Sequence, residues 1–209
     1  MHEIVKFLEK NLSQNIKNEI EVRLNEFEQF KNKNNQEWFN ELCFCLLTAN
    51  SKAETAIKIQ IEMLPDNFAK KTQTEIAYTI KKHGHRFHNT KALYIFLARQ
   101  FLNIKDILQK MSDFQARDFL VTNIKGLGYK EASHFLRNVG YNNFAIIDRH
   151  VLRFLKQHNL INEIPKTINK KNYLYFEEIL KKFNIAQSRL DQSRLDLMIW
   201  AYMTGKVLK

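Results

Sequence analysis

The sequence predicts an all-α fold, and three observations support this prediction. Glycine and proline contribute only 5 and 2 of the 209 residues, whereas an average usage of about 12% would give roughly 25. This scarcity excludes a β-sandwich or β-barrel, because such folds need many tight turns. Apolar residues recur at helical spacing along most of the chain, and no segment is clearly typical of a strand. A hydrophobic content of 44% argues against disorder.

Helical periodicity predicts a series of helices joined by short connections. Residues 36–49 are almost continuously apolar, so we expect a buried helix in which Cys43 and Cys45 are core residues. Ser51 is predicted to cap the helix that follows. The predicted helices cover residues 13–31, 36–49, 52–63, 73–82, 90–102, 104–111, 113–123, 130–139, 149–158, 170–183 and 188–204.

The chain is strongly basic, with 33 Lys and Arg, 22 Asp and Glu and a formal net charge of +11. The charge is clustered, since residues 70–99 hold seven basic residues and one acid, and residues 121–160 hold six and two. Clustering favours an anionic polymer, and nucleic acid above all, as the partner. The sequence has no apolar run long enough for a membrane span and starts without a leader-like segment, so a cytoplasmic protein is expected.

Residues 119–130 join two helical patterns through Gly126-Leu127-Gly128. Two glycines this close in a glycine-poor chain indicate positive φ or a close approach by another group. We expect a helix–hairpin–helix whose backbone amides approach a DNA phosphate. An ordinary helix–helix turn with glycine caps would give a similar pattern.

Two ionisable residues follow this hairpin at positions suited to chemistry. Lys130 would begin a helix, where the helix dipole and partial burial disfavour an ammonium and free the amine as a nucleophile. Asp148 would cap the helix that begins at Arg149, and a carboxylate held in this way can face a developing positive charge. The simpler alternatives are a solvated surface lysine and a purely structural cap.

Together, these motifs resemble the helix–hairpin–helix DNA glycosylase superfamily, and within it the archaeal-type second class of 8-oxoguanine DNA glycosylase/AP lyase. The resemblance covers roughly residues 20–209. It rests on the motifs at residues 42–50, 85–87, 126–137, 148–150 and 205–209.

The resemblance implies a bifunctional repair enzyme that flips 8-oxoguanine out of double-stranded DNA. Lys130 would attack the sugar as the base departs, and Asp148 would stabilise the cationic sugar. A Schiff base would then undergo β-elimination and nick the strand 3′ to the lesion. The implied partners are duplexes that contain 8-oxoguanine or abasic sites, and the protein is expected to act as a monomer without a cofactor or metal.

The resemblance also assigns base recognition and a two-lobed architecture. Phe87 and Trp200 would sandwich the base, and Lys209 would contact its oxidised edge through an ammonium and a terminal carboxylate. One continuous lobe would span residues 33–141, with the hairpin at about 113–140, and residues 1–32 plus 142–209 would form the other, with a DNA cleft between them. The candidates for contacts to the DNA backbone are Arg86, Lys125, Gly126, Gly128, Arg137 and Arg149.

Two other functions remain open from the sequence. An endonuclease-III-like enzyme for oxidised pyrimidines would usually carry four cysteines for an iron–sulfur cluster, but no cysteine follows Cys45. A non-enzymatic helix–hairpin–helix module would not need Lys130 and Asp148 together and is usually much shorter. His85, His134 and His150 are expected to be structural or phosphate-facing, because their spacing forms no metal motif.

Overall fold

A computed structural model describes residues 3–185 and 191–209, and no strand occurs in these two segments. The all-α prediction is therefore confirmed for the described chain. The helices are α1 (Glu3–Asn11), α2 (Gln14–Phe30), α3 (Asn35–Thr48), α4 (Ala53–Met63), α5 (Asn67–Lys70), α6 (Gln73–Lys82), α7 (His88–Ala98), α8 (Ile104–Leu108), α9 (Asp113–Asn123), α10 (Tyr129–Asn138), α11 (Arg149–Gln157), α12 (Lys170–Ile185) and α13 (Gln192–Thr204), with a 3-10 turn at Arg99–Phe101.

Most helix boundaries lie close to their predicted positions, but two helices and one cap differ. Helix α1 was not predicted, although Val5, Leu8 and Leu12 are buried at helical spacing. The single-turn helix α5 was also missed. The predicted cap at Ser51 is wrong, because the Ser51 amide bonds back to the Thr48 carbonyl and Lys52 occupies the cap position. Residues 188–190 of the last predicted helix lie outside the described segments.

The chain divides into two compact units, of which one is continuous and spans Lys31–Val139. Helix α3 lies at the centre of this continuous unit and contacts α4, α7, α8 and α10. Its residues from Trp38 to Thr48 are all buried, and Cys43 and Cys45 are among them, as predicted. Side-chain capping boxes begin α3 at Asn34 and α6 at Thr72.

The second unit, called the split unit, combines Met1–Phe30 with Gly140–Lys209. Helix α13 is its central element and contacts α1, α2, α11 and α12. An irregular connector at residues 144–147 is also buried. None of the helices in the described segments is long and apolar enough to cross a membrane.

Candidate active site

The predicted helix–hairpin–helix is formed by α9, a tight turn and α10. Gly126 in that turn has φ +95°, and a Cβ there would lie 2.2 Å from Cδ2 of Tyr94. Both positive φ and close approach therefore require glycine at this position. Gly128 differs, since its φ of −94° suits any residue and a Cβ would lie 3.2 Å from the Glu131 carboxylate.

Lys130 is the second residue of α10, which begins one residue before the predicted start at Lys130. Its Nζ lies 3.3 Å from Oε1 of Glu131, and the Lys130 side chain is 33% exposed. The other oxygen of Glu131 accepts a hydrogen bond from the Gly128 amide at 3.3 Å. The same carboxylate thus joins the hairpin backbone to the lysine and keeps the amine near the helix N-terminus.

A second lysine of the continuous unit, Lys91, is almost completely buried on α7. Its Nζ donates a 2.6 Å hydrogen bond to the Leu46 carbonyl in the last turn of α3. Burial lowers the pKa of Lys91 to about 8, while the charge of Glu131 opposes this shift and that of Lys130 adds to it. The two lysines therefore interact electrostatically.

Phe87 lies in the turn between α6 and α7, where it occupies the N-cap position of α7. The residue is 37% exposed, as base stacking would require. The exposed guanidinium of Arg86 lies over the ring at 4.5 Å from its centroid. The turn thus presents an aromatic ring with a cation stacked over one of its faces, both accessible to solvent.

Asp148 caps α11 in the split unit, as predicted. Its Oδ1 accepts hydrogen bonds from the backbone amides of His150 at 2.8 Å and Val151 at 2.9 Å. The carboxylate therefore has a fixed position at the start of the helix. It is half-buried, so it is neither enclosed in the core nor fully solvated.

Two buried side chains hold the connector that precedes Asp148. Asp196 of α13 accepts a 3.0 Å hydrogen bond from the Ile146 amide. The Tyr173 hydroxyl accepts from the Ile147 amide at 3.3 Å and donates to the Ala145 carbonyl at 3.0 Å. An irregular backbone can be buried here because its polar groups are paired.

Trp200 is half-buried on α13, and its ring contacts that of His150 edge-on, with 6.3 Å between centroids. Gly205 then ends the helix in the left-handed conformation at φ +73°. Lys209 is half-buried in the tail that follows. Thus Asp148, Trp200 and Lys209 belong to the split unit, whereas Lys130 and Phe87 belong to the continuous unit.

The family model of 8-oxoguanine DNA glycosylase matches residues 20–188 of this chain. The 8-oxoguanine DNA glycosylase/AP lyase of Methanocaldococcus jannaschii is 52% identical over 207 residues, which are 99% of each chain. The chain belongs to the 8-oxoguanine DNA glycosylase family. This membership confirms the resemblance seen in the sequence.

Other relatives support the same family. The Thermotoga maritima 8-oxoguanine DNA glycosylase/AP lyase is 43% identical over 210 residues and matches 100% of both chains. The crystal structure of the M. jannaschii 8-oxoguanine glycosylase/lyase in complex with a 15mer DNA containing 8-oxoguanine superimposes with a TM-score of 0.94. That match has 51% identity and covers 99% of this chain and 100% of the other.

The basic side chains predicted to contact the DNA backbone must be accessible to solvent if they are to reach a phosphate. Arg86, Lys125 and Arg149 are exposed, as a phosphate contact requires. Arg137 is only 3% exposed, and its guanidinium donates to Oδ1 of Asn138 at 3.0 and 3.2 Å. We therefore correct the expectation for Arg137, because a side chain buried in this way is not available to a phosphate.

Several residues that shape the site were not predicted from the sequence. Tyr173 and Asp196 hold the connector before Asp148. Glu131 contacts Lys130, and Lys91 interacts with it electrostatically. The role of Glu131 could have been predicted from the sequence, because a glutamate at the third position of a helix commonly binds back to the backbone amide of the cap residue, here Gly128. The others are distant along the chain from the residues they contact, and sequence spacing contains no such information.

Proposed function

We propose that this protein removes 8-oxoguanine from double-stranded DNA and then cleaves the strand at the resulting abasic site. The observation that carries the proposal is membership of the 8-oxoguanine DNA glycosylase family along nearly the whole chain. The half-buried Lys130 at the start of the hairpin's second helix supports the lyase step. On this proposal the protein works on chromosomal DNA in the nucleoid.

Lys130 is the proposed nucleophile. Its neutral Nζ attacks C1′ of the flipped nucleotide, the glycosidic bond breaks, and the base leaves with the bonding electrons and takes up a proton. Ring opening then gives a Schiff base between Nζ and C1′. Loss of a proton from C2′ breaks the bond between C3′ and its oxygen, and this β-elimination nicks the strand 3′ to the lesion.

Asp148 is proposed to stabilise the positive charge that develops on the sugar. Its two backbone hydrogen bonds fix the carboxylate before the substrate arrives, so little reorganisation is needed during the reaction. The carboxylate oxygens of Asp148 can also assist the deprotonation of the Lys130 amine. Both roles require Lys130 and Asp148 to act on the same nucleotide.

Recognition of the base is assigned to Phe87, Trp200 and Lys209. The two aromatic rings offer surfaces on which a flipped purine can stack. Oxidation adds an acceptor oxygen at carbon 8 and converts N7 into an N–H donor. The ammonium of Lys209 is a donor that matches this new oxygen, which guanine lacks.

Contacts to the DNA backbone are proposed for Arg86, Lys125 and Arg149 and for the hairpin at Gly126 and Gly128. The exposed side chains supply positive charge, and the hairpin supplies backbone amides at the N-terminus of α10. If these groups neutralise about five phosphates, a plot of the logarithm of the DNA-binding constant against log[salt] would have a slope near −4.5, so binding would weaken steeply as salt is added.

A lesion panel with chemical trapping tests the proposal. Duplexes that contain 8-oxoguanine, an oxidised pyrimidine, an abasic site or undamaged guanine are each incubated with the protein and borohydride. The proposal expects adducts with 8-oxoguanine and abasic DNA. Trapping on the oxidised pyrimidine with none on 8-oxoguanine would favour the endonuclease-III-like activity, and binding without any adduct would favour a non-enzymatic DNA-binding module.

A further inference from the structure

Two side chains of the continuous unit bind consecutive carbonyls at the C-terminal end of α3. His85 Nε2 lies 3.0 Å from the Leu47 carbonyl oxygen, and Lys91 Nζ lies 2.6 Å from that of Leu46. The last four carbonyls of a helix lack partners within the helix. Both side chains are nearly fully buried, so they connect the end of α3 to the segment that carries them.

The same two residues hold the backbone of Phe87. The Phe87 amide donates to Nδ1 of His85 at 3.2 Å, and the Phe87 carbonyl accepts from the Lys91 amide at 2.9 Å. Both polar backbone groups of Phe87 are therefore bound by residues whose side chains are anchored on α3. The exposed ring thus extends from a backbone with a fixed position.

The partners of His85 determine its tautomer. A carbonyl oxygen can only accept, so the proton lies on Nε2, which faces Leu47. Nδ1 of the neutral ring is then an acceptor, which is what the Phe87 amide needs. Burial is the largest influence on the pKa of His85 and lowers it, and the charges of Lys91 and His88 act in the same direction. Hydrogen bonds to the Leu47 carbonyl and to the backbone of His85 itself oppose them. The neutral ring is thereby favoured.

We propose that His85 is a positioning residue for base recognition, and that it acts by fixing the Phe87 backbone through the acceptor Nδ1. The proposal rests on the proposed stacking role of Phe87. A turn that is ordered before the base arrives avoids the entropy cost of ordering it on binding. His85 itself does not need to touch the DNA.

A matched pair of variants separates the two hydrogen bonds of His85. His85→Asn keeps an acceptor at the position of Nδ1, because Asn Oδ1 is also one bond from Cγ. His85→Gln keeps a donor at the reach of Nε2 but places no acceptor next to the Phe87 amide. Each variant therefore retains one bond of the original ring and loses the other.

The readouts are single-turnover release of 8-oxoguanine and nicking of a preformed abasic site. In His85→Gln we expect base release to fall about tenfold, as for a half-buried donor that loses its acceptor, whereas abasic-site nicking falls much less. His85→Asn should restore most of the base release. His83→Gln is the control, because His83 lies in the same turn but contacts Glu62.

The proposal is overturned if the Asn and Gln variants lose base release equally, or if both substrates are affected to the same degree. A measurement of the imidazole nitrogens by ¹⁵N NMR provides a test without activity, since it should show an unprotonated Nδ1. A protonated Nδ1 in the neutral ring would also overturn the proposal. If the wild-type protein releases no 8-oxoguanine, the proposed function fails, and NMR alone then decides how the turn is held.

Discussion

The Cα of Gly126 faces the ring of Tyr94 so closely that a Cβ would lie 2.2 Å from the nearest ring carbon. The backbone of the hairpin turn therefore packs directly against the Tyr94 side chain of α7. Three atoms of the Tyr94 ring, including Cγ, would lie within 3 Å of that Cβ, so the clash involves the base of the ring as well as its edge.

We expect Gly126→Ala to destabilise the protein by on the order of 2 kcal/mol or more, from strained φ and from the clash. Gly84→Ala is the matched control, because Gly84 has φ +75° but open space around it. Its cost should be limited to the backbone, about 1–2 kcal/mol. Urea denaturation measures both values, and equal losses would show that the contact with Tyr94 does not matter.

Lys130→Gln should bind 8-oxoguanine duplexes but lose base release, strand nicking and the borohydride-trapped adduct. The substitution keeps a similar length and removes the nucleophilic amine. Lys125→Gln is the control, since Lys125 is an exposed residue of the same hairpin. It should weaken binding yet still form the adduct. A trapped adduct in Lys130→Gln would show that another amine performs the attack.

Asp148→Asn should fold like the wild type and react on the order of 10²-fold more slowly, because one fixed charge is removed from the site. An asparagine oxygen can still accept from the His150 and Val151 amides, so the cap of α11 is kept. Asp148→Ala should in addition lose about 1 kcal/mol of stability. Stopped assays of base release and urea denaturation separate the two effects. If Asn and Ala destabilise equally, the cap does not contribute as described.

Lys209→Met should reduce excision of 8-oxoguanine far more than nicking at an abasic site, since abasic DNA has no base to contact. Lys206→Met removes the same charge from an exposed position of the same tail. It should affect both substrates weakly and equally. The rates of 8-oxoguanine excision and of abasic-site nicking are measured on matched duplexes. If Lys209→Met lowered both rates by the same factor, Lys209 would have no role in recognition of the base.

Lys91 predicts a specific pH dependence of stability. Its pKa is about 8 in the folded protein against an ordinary value of 10.5. Between these values the unfolded chain binds more protons, so the free energy of unfolding should rise with pH, by up to about 3 kcal/mol across the window.

Comparison with Lys91→Met isolates this contribution. The wild type should gain stability relative to the variant from pH 8 to 10.5, and the difference should be constant below that window. Burial raises the pKa of Cys43 and has the opposite effect above pH 9, but this contribution is present in both proteins and cancels. If the difference in free energy of unfolding between the two proteins did not change with pH, folding would not lower the pKa of Lys91.

The sequence predicted the features that depend on neighbours along the chain. The spacing of apolar residues located most helices, and the turn at Gly126 and the cap at Asp148 followed from local backbone chemistry. The contacts of Tyr173, Asp196 and Tyr94 could not be predicted, because each joins residues far apart in sequence. The burial of Arg137, which argues against its predicted contact with the DNA backbone, could not be predicted for the same reason, since burial depends on tertiary packing rather than on residue type.

The two thiols on α3 have a chemical consequence. Cys43 and Cys45 are fully buried, and burial raises the pKa of Cys43, so its reactive thiolate form is suppressed. Oxidants attack accessible thiolates first and convert them to sulfenic and higher acids. Both of the sequence's cysteines are shielded from this chemistry. The protein is thereby suited to work while the cell is under the oxidative attack that produces 8-oxoguanine, without needing a reductant to keep its two cysteines in the thiol form.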